Sequence, residues 1–346
     1  MRVLADYHHG SLFQSLQLLF EGRLGAELYR PIGMEWYEQG YWNVYPHPAT
    51  ASQFLTVTDD VSLKLNSEGV EVPGHEAARE DDGIFHIDSG PDGGSHRGIT
   101  LDKFASLDFD IVISSIPQHI EPYNRLIAEH SPAANHVFQV GNSWGHQPGV
   151  GNILISAAPF SVPEDMNVCF YHQEFDLDVF SYEPPGLDKS IFSYIHWMRA
   201  PELFAEYADR LSESFSFRAF GAGMGDTLPG SKTIAAKMKS STFTWHYKPE
   251  GDGFGHVIHN SYAVGRPALI WGSHYRGRLA EALFENDVTC IDMELGTPED
   301  NVQRILEFSE PDRHAEMCAA AHQRFCEVVD FDESEQRVRA FLDRLR

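Results

Sequence analysis

The chain is short of positive charge: 26 Lys and Arg stand against 51 Asp and Glu, a formal net charge of −25. Residues 1–170 alone hold 8 Lys and Arg against 22 Asp and Glu. Proteins that draw in nucleic acid or anionic lipid at long range usually carry a basic footprint, so neither partner is expected unless a basic cleft assembles locally. Cysteine is scarce too. Cys169, Cys290, Cys318 and Cys326 lie far apart or eight residues apart, which fits neither a disulfide framework nor a zinc ribbon, and they read as reduced packing residues. No apolar run approaches the roughly 18 residues of a membrane span. The opening Met-Arg-Val-Leu-Ala-Asp-Tyr-His-His lacks the apolar stretch and cleavage site of a signal peptide, so a cytoplasmic location is expected. Eighteen histidines include no His-Glu-x-x-His and no His-x-x-x-His pair, which leaves a metal hydrolase a minor reading.

What is present is enough apolar material for two cores. The 346 residues are 42% hydrophobic and 12% aromatic, which suits two domains of about 150–180 residues each. The first begins as strand Arg2–Asp6, a His8-His9-Gly10 turn and a helix from Ser11 to Phe20, the opening of an α/β domain with parallel strands. Residues 31–98 read as irregular, with an aromatic cluster (Trp36, Tyr37, Tyr41, Trp42, Tyr45) and a glycine-rich loop over 86–98. A buried strand follows at Phe109–Ser115, then a helix at Ile120–Ala128 and a strand at His136–Val140 ending in the turn 141–145. Beyond an aromatic, acidic, proline-bearing linker at 171–185, strands at Ser190–Trp197 and Phe215–Phe220 alternate with helices at Pro201–Leu211 and Lys232–Lys239. That alternation predicts a second parallel sheet covered on both faces. The charged amphipathic run Glu333–Arg346 predicts a closing helix.

Residues 243–272 are the most telling segment. They predict a strand, a glycine turn at Gly251, Gly253 and Gly255, a short helix, and a second strand after Gly265-Arg266-Pro267. Such a turn points main-chain N–H groups and a helix N-terminus at an anion, so a nucleotide or a phosphorylated sugar is the expected ligand. By contrast, Gly221-Ala-Gly223-Met-Gly225 is not a dinucleotide fingerprint, because Asp226 stands where the third glycine belongs.

The run Asp252-Gly-Phe-Gly-His-Val-Ile-His-Asn260-Ser-Tyr-Ala-Val-Gly265-Arg-Pro267 resembles the donor-binding motif of GT-B glycosyltransferases. In the retaining branch of that family two glutamates stand eight residues apart; here the matching positions are Asp252 and Asn260, so the stereochemical outcome stays open. Phage and environmental viral GT-B sequences carrying Gly-Asp-Gly-Phe-Gly-His followed by His-Asn are similar as well. The resemblance implies an α/β chain of two Rossmann-like domains with parallel sheets facing a central cleft. It places an acceptor-side domain at 1–175, a nucleotide-sugar domain at 176–325, and a helix at 326–346 that packs back on the first domain. It also implies a hexosyl transfer from a nucleoside-diphosphate sugar of the UDP-glucose type, without a required metal. The acceptor is a small hydroxylated molecule or a 5-hydroxymethylated base in DNA. A sugar-nucleotide epimerase or a non-catalytic nucleotide-sugar binder are the other readings.

Candidate residues follow. Lys248, with Arg199, can neutralise a departing diphosphate, and a surface cation is the plain alternative for each. Gly253, Phe254 and Gly255 form the turn, Gly223 a tight turn beside the donor, and Asp252 is a candidate catalytic position. Asn260 can offer an amide to ribose hydroxyls, while His256 and His259 are phosphate contacts or core histidines. At the end of the first strand, Asp6, His8 and His9 sit where ligands of open α/β sheets bind. His9 is the preferred base if the reaction inverts, with His8, Asp6 and His119 as alternatives. A DNA acceptor would need a basic strip, for which Arg23, Arg30, Arg97 and Arg125 are available.

Overall fold

In the computed structural model the chain divides into two compact units: Met1–Ser156 with Phe160–Glu174 and Phe331–Arg346, and Ala157–Pro159 with Phe175–Asp330. The structure describes residues 1–7, 9–42, 55–57, 76–88, 95–141, 147–157, 162–186, 188–195, 198–221, 226, 228 and 230–345.

The N-terminal unit is built on one ten-stranded sheet in the order β10-β9-β8-β7-β1-β2-β6-β5-β4-β3. Its strands are β1 (Arg2–Ala5), β2 (Glu27–Pro31), β3 (Leu55–Val57), β4 (Glu76–Asp81), β5 (Ile84–Asp88), β6 (Ser95–Ile99), β7 (Ile111–Ser114), β8 (Asn135–Val140), β9 (Asn152–Ile155) and β10 (Asn167–Phe170). From β6 to β10 every pairing is parallel. Parallel strands buried on both faces read as unbroken apolar runs, as in the fully buried Ile-Val-Ile-Ser of β7. Alternate residues then feed two cores. Val3, Ala5, Ile111 and Ile113 meet Leu12, Phe13 and Leu16 of α1 (Gly10–Gln17). Leu4 and Val112 meet Tyr123 and Leu126 of Ile120–His130 together with Trp36 and Phe104. The chain runs outward from β1 in one direction and from β7 in the other, so the order reverses between these two strands.

Residues 31–98 are not uniformly irregular. The described part holds β4, β5 and β6 paired antiparallel, with Asp81 opposite Ile84 and Ile84 opposite Ile99. Asp82 and Gly83 both take positive φ, 49° and 77°, the two-residue turn that matches strand twist. The Asp-Gly dipeptide before Ile-Phe-His-Ile was the available signal. The turn at 141–145 lies outside the described residues except Gly141, as do Tyr45 and Trp197.

The second unit carries a five-stranded, all-parallel sheet in the order β12-β11-β13-β14-β15. These strands are β11 (Ser190–Ser193), β12 (Ser216–Ala219), β13 (Phe243–His246), β14 (Ala268–Ile270) and β15 (Cys290–Asp292). Ile191, Phe243, Trp245, Leu269 and Ile291 pack with Tyr207, Leu211, Ile305, Phe308 and Met317 from flanking helices. After β13 comes α2 (His256–Ala263). The closing helix α3 (Phe331–Asp343) belongs to the N-terminal unit, where Val338, Phe341 and Leu342 join the core around Leu154 and Cys169. Arg23 ties down its first turns, with 2.6 Å to Asp332 and 3.2 Å to Glu335. Cys169, Cys290 and Cys318 are buried, Cys326 is exposed, and all four are free thiols.

Candidate functional site

The distinctive turn lies beyond the carboxyl end of β13, where ligands of parallel sheets bind. Its conformation needs glycine at two places. Gly251 has φ of 72°, and a Cβ there would stand 2.7 Å from the main-chain oxygen of His274. Gly255 has φ of 82° and is the N-cap residue of α2, so the turn delivers its chain directly to a helix N-terminus. Gly253 sits between them, half-buried.

Around the turn runs a chain of polar side chains. The Lys248 ammonium pairs with Oδ1 of Asp252. The other carboxylate oxygen, Oδ2, is 3.4 Å from Nε2 of His246, a residue at the end of β13 that is 1% exposed in its side chain. His246 Nδ1 in turn meets the hydroxyl of the buried Tyr275. Burial pushes the Asp252 carboxyl up, but the hydrogen bond and charge of His246, with those of Lys248, outweigh it and hold the group well below the usual carboxylate range. Asp252 is therefore an anion with two partners. Lys248 is not a solitary surface cation: it reaches the turn already paired. Arg199 also comes to the turn, through an exposed ion pair of 3.6 Å with Glu250. Arg278, which the sequence reading passed over, donates to the Glu250 main-chain oxygen at 3.3 Å.

On α2 the histidines separate by role. His259 is buried, its Nδ1 stands 3.0 Å from the Gly255 oxygen, and its ring stacks on Phe254 at 4.1 Å. Phe254 is itself 2% exposed. These contacts fasten the helix onto the turn. His256 is partly buried and meets Phe254 edge-on at 4.8 Å. The side-chain oxygen of Asn260 is buried and has no hydrogen-bond partner among the described residues, a costly state for a polar atom unless something else supplies a donor. Gly223 lies outside the described residues; Gly221 and Asp226 are described, and the Gly221 N–H bonds the Asp226 main-chain oxygen at 2.8 Å.

The N-terminal unit holds a second constellation at its strand reversal. Asp6 follows β1 and is 3% exposed. It accepts from the Ser115 N–H at 2.7 Å and from the Ser115 hydroxyl, and lies 2.9 Å from His119 Nδ1. His119 is fully buried, and its Nε2 has no hydrogen-bond partner among the described residues. The carboxylate holds the proton on Nδ1 and leaves Nε2 as the basic atom. His9 is occupied differently: its ring nitrogen accepts from the Leu12 N–H at 3.4 Å and caps α1. His8 lies outside the described residues. The sequence named Asp6 and His119 separately, and only the fold pairs them.

Of the described members of the aromatic cluster, Trp36, Tyr41 and Trp42 are buried in the core, Trp36 Nε1 donates to the Ile99 oxygen at 3.0 Å, and Tyr37 is exposed. The four arginines form no strip of unpaired charge. Arg23 is held by Glu174 at 2.7 Å besides its bonds to α3, Arg97 by Glu21 at 2.5 Å, and Arg125 by the Gln39 oxygen at 2.6 Å. Arg30 is 1% exposed and lies over the Tyr7 ring at 4.2 Å. Among the described residues no group of three or more His, Cys, Asp or Glu could hold a metal ion, and no helix is long and apolar enough to cross a membrane.

No protein-family model and no curated protein sequence matches the chain. Solved structures do. Anabaena HepE in complex with UDP-glucose is similar with a TM-score of 0.62 at 10% identity, covering 99% of this chain and 100% of that one. A glycosyltransferase from Rickettsia africae is similar at 0.61 and 10%, covering 99% and 98%. An α-glucosyltransferase in complex with UDP-glucose and DNA containing an abasic site is similar at 0.60 and 12%, covering 99% of both chains. The fold is GT-B, an α/β chain whose first sheet is mixed, parallel from β6 to β10, and whose second sheet is all-parallel.

Proposed function

We propose that this GT-B chain is a glycosyltransferase that moves a sugar from a nucleoside-diphosphate sugar of the UDP-glucose type to an acceptor hydroxyl. One observation carries the reading: the turn Gly251–Gly255 feeds main-chain N–H groups into the N-terminus of α2 beside Lys248, at the carboxyl end of β13. Amides and a helix terminus favour an anion there. Lys248 and Arg199 add charge for a departing diphosphate, so this reading needs no metal. Asn260 offers its buried, unpartnered oxygen to a ribose hydroxyl. The names of the similar structures, which include UDP-glucose complexes, support this donor class.

On the acceptor side His9 is the candidate base, because it is exposed at the start of α1, whereas His119, though held by Asp6 in the tautomer that leaves Nε2 basic, is fully buried and does not meet an acceptor hydroxyl. The acceptor in this reading is a small uncharged hydroxylated molecule. A DNA acceptor would have to be held through phosphates, and Arg23, Arg97 and Arg125 are already bonded within their own unit while Arg30 is buried. A thermal-shift screen of nucleoside diphosphates and their sugars tests the donor, since a ligand that binds only the native state raises its stability. No shift with any of them removes the reading.

A further inference from the structure

We propose that Tyr275 and His246 are positioning residues that hold Asp252 in one orientation, the Tyr275 hydroxyl seating the His246 ring so that its Nε2–H faces the carboxylate. The inference rests on the donor site proposed above and names how that site is kept in register.

The three residues come from separate segments. His246 ends β13, Asp252 lies in the glycine turn, and Tyr275 ends a short 3-10 helix, Gly272–Tyr275, after β14. Tyr275 is 0% exposed and His246 1%, so neither exchanges partners with water. Burial drives the Tyr275 phenol well above its ordinary value, and the hydroxyl keeps its proton. Facing Nδ1 of His246, that hydroxyl is a donor, and Nδ1 must accept. The neutral ring then carries its proton on Nε2, the atom 3.4 Å from the Asp252 carboxylate. The opposite tautomer would set two donors against each other at Nδ1 and a lone pair against a carboxylate at Nε2. With Oδ2 held by His246, Oδ1 is left to Lys248, so the order set at Tyr275 reaches the ammonium at the turn. The titratable groups around His246 are Tyr275 and His274 from the segment after β14, and Asp252 with Lys248 from the turn.

Removing the phenol hydroxyl takes away the donor to Nδ1 and leaves the ring seated from the Asp252 side alone. Tyr275→Phe should therefore weaken binding of uridine diphosphate about tenfold. His246→Phe removes the donor to Asp252 altogether and should lose at least as much, and adding Tyr275→Phe in that background should cost little more. A residue that only filled space would give losses that add.

Two measurements decide it: titration calorimetry with uridine diphosphate on the single and double variants, and long-range ¹H–¹⁵N spectra of the His246 imidazole without ligand. The spectra should show the proton on Nε2 and a hydrogen-bonded Nδ1 in the wild type, and an Nδ1 that has lost its hydrogen bond in Tyr275→Phe. The proposal is overturned if Nδ1 carries the proton in the wild type, if Tyr275→Phe leaves the Nδ1 signal unchanged, or if the two binding losses add. An imidazole that responds as expected in a protein that binds no nucleoside diphosphate supports the positioning chain and removes the donor reading instead.

Discussion

The guanidinium of Arg266 donates to the main-chain oxygen of Glu183 at 2.7 Å, across 83 residues of sequence. The same group reaches the oxygens of Lys239 at 2.5 Å, Val264 and Gly265 at 3.2 Å, and Pro184 at 3.4 Å. A buried charge is here satisfied by carbonyls. It fastens the segment entering the second unit to the junction between α2 and β14, just behind the glycine turn. Replacing Arg266 by Leu should destabilise this unit by about 3–5 kcal/mol, the scale of stripping a buried charge network of one member. Lys should recover less than half, since an ammonium lacks the planar fork. Hydrogen exchange within the unit is the measurement, because a two-unit chain need not unfold in one step. A Leu variant within about 1 kcal/mol of wild type would remove the assignment.

The two positive-φ glycines of the turn should differ in cost. Gly255→Ala meets only ordinary contact, 3.5 Å from Ala280, so it should cost about 1–2 kcal/mol from the left-handed backbone alone. Gly251→Ala adds a clash with the His274 main-chain oxygen and should cost distinctly more. Both should also lower affinity for uridine diphosphate. Equal stabilities in denaturant would show that the turn yields at Gly251.

Asp252 predicts the acid limb of stability. Its carboxyl titrates lower in the folded chain than the roughly 3.9 of an unfolded aspartate. Its contribution is therefore complete above that value and is lost as pH falls through the lower folded value. Asp252→Asn should be less stable than wild type at pH 7, with the difference shrinking below about pH 4. A difference that is constant down to pH 2 would mean the carboxylate is not paired as described.

Lys248→Ala should weaken uridine diphosphate binding by about 1–3 kcal/mol, the usual scale for a charge-assisted hydrogen bond. Because Lys248 also holds Asp252, Asp252→Asn should give a loss that does not add to it. Calorimetry on the single and double variants reads both numbers, and additive losses would separate the two residues.

Acceptor class is read by salt. Transfer to a small hydroxylated acceptor should change little between about 50 and 200 mM salt, whereas a duplex held through phosphates would lose binding steeply over that range. Robust transfer to hydroxymethylated DNA with a steep negative salt slope would overturn the reading from the arginine contacts.

Much of the fold was legible because parallel α/β structure writes a local period: short apolar runs such as Ile111–Ser114 alternate with amphipathic stretches such as Pro201–Arg210. The glycine turn was legible for a related reason, since positive φ singles out one residue type. The hairpin at Asp82-Gly83 carried the same kind of local signal, outweighed by the polar residues around it. Tertiary structure alone decided partnership. Asp6 meets His119 across 113 residues and His246 meets Tyr275 across 29, and nothing in either neighbourhood of sequence marks the other. The sequence also counted charges without assigning them: whether Arg23, Arg97 and Arg125 could greet a polyanion depended on which carboxylates and carbonyls the sheet and the closing helix set beside them. Periodicity and backbone preference are properties of neighbours along the chain. Pairing, burial and the choice of tautomer are properties of neighbours in space, and exist only once the sheets have formed.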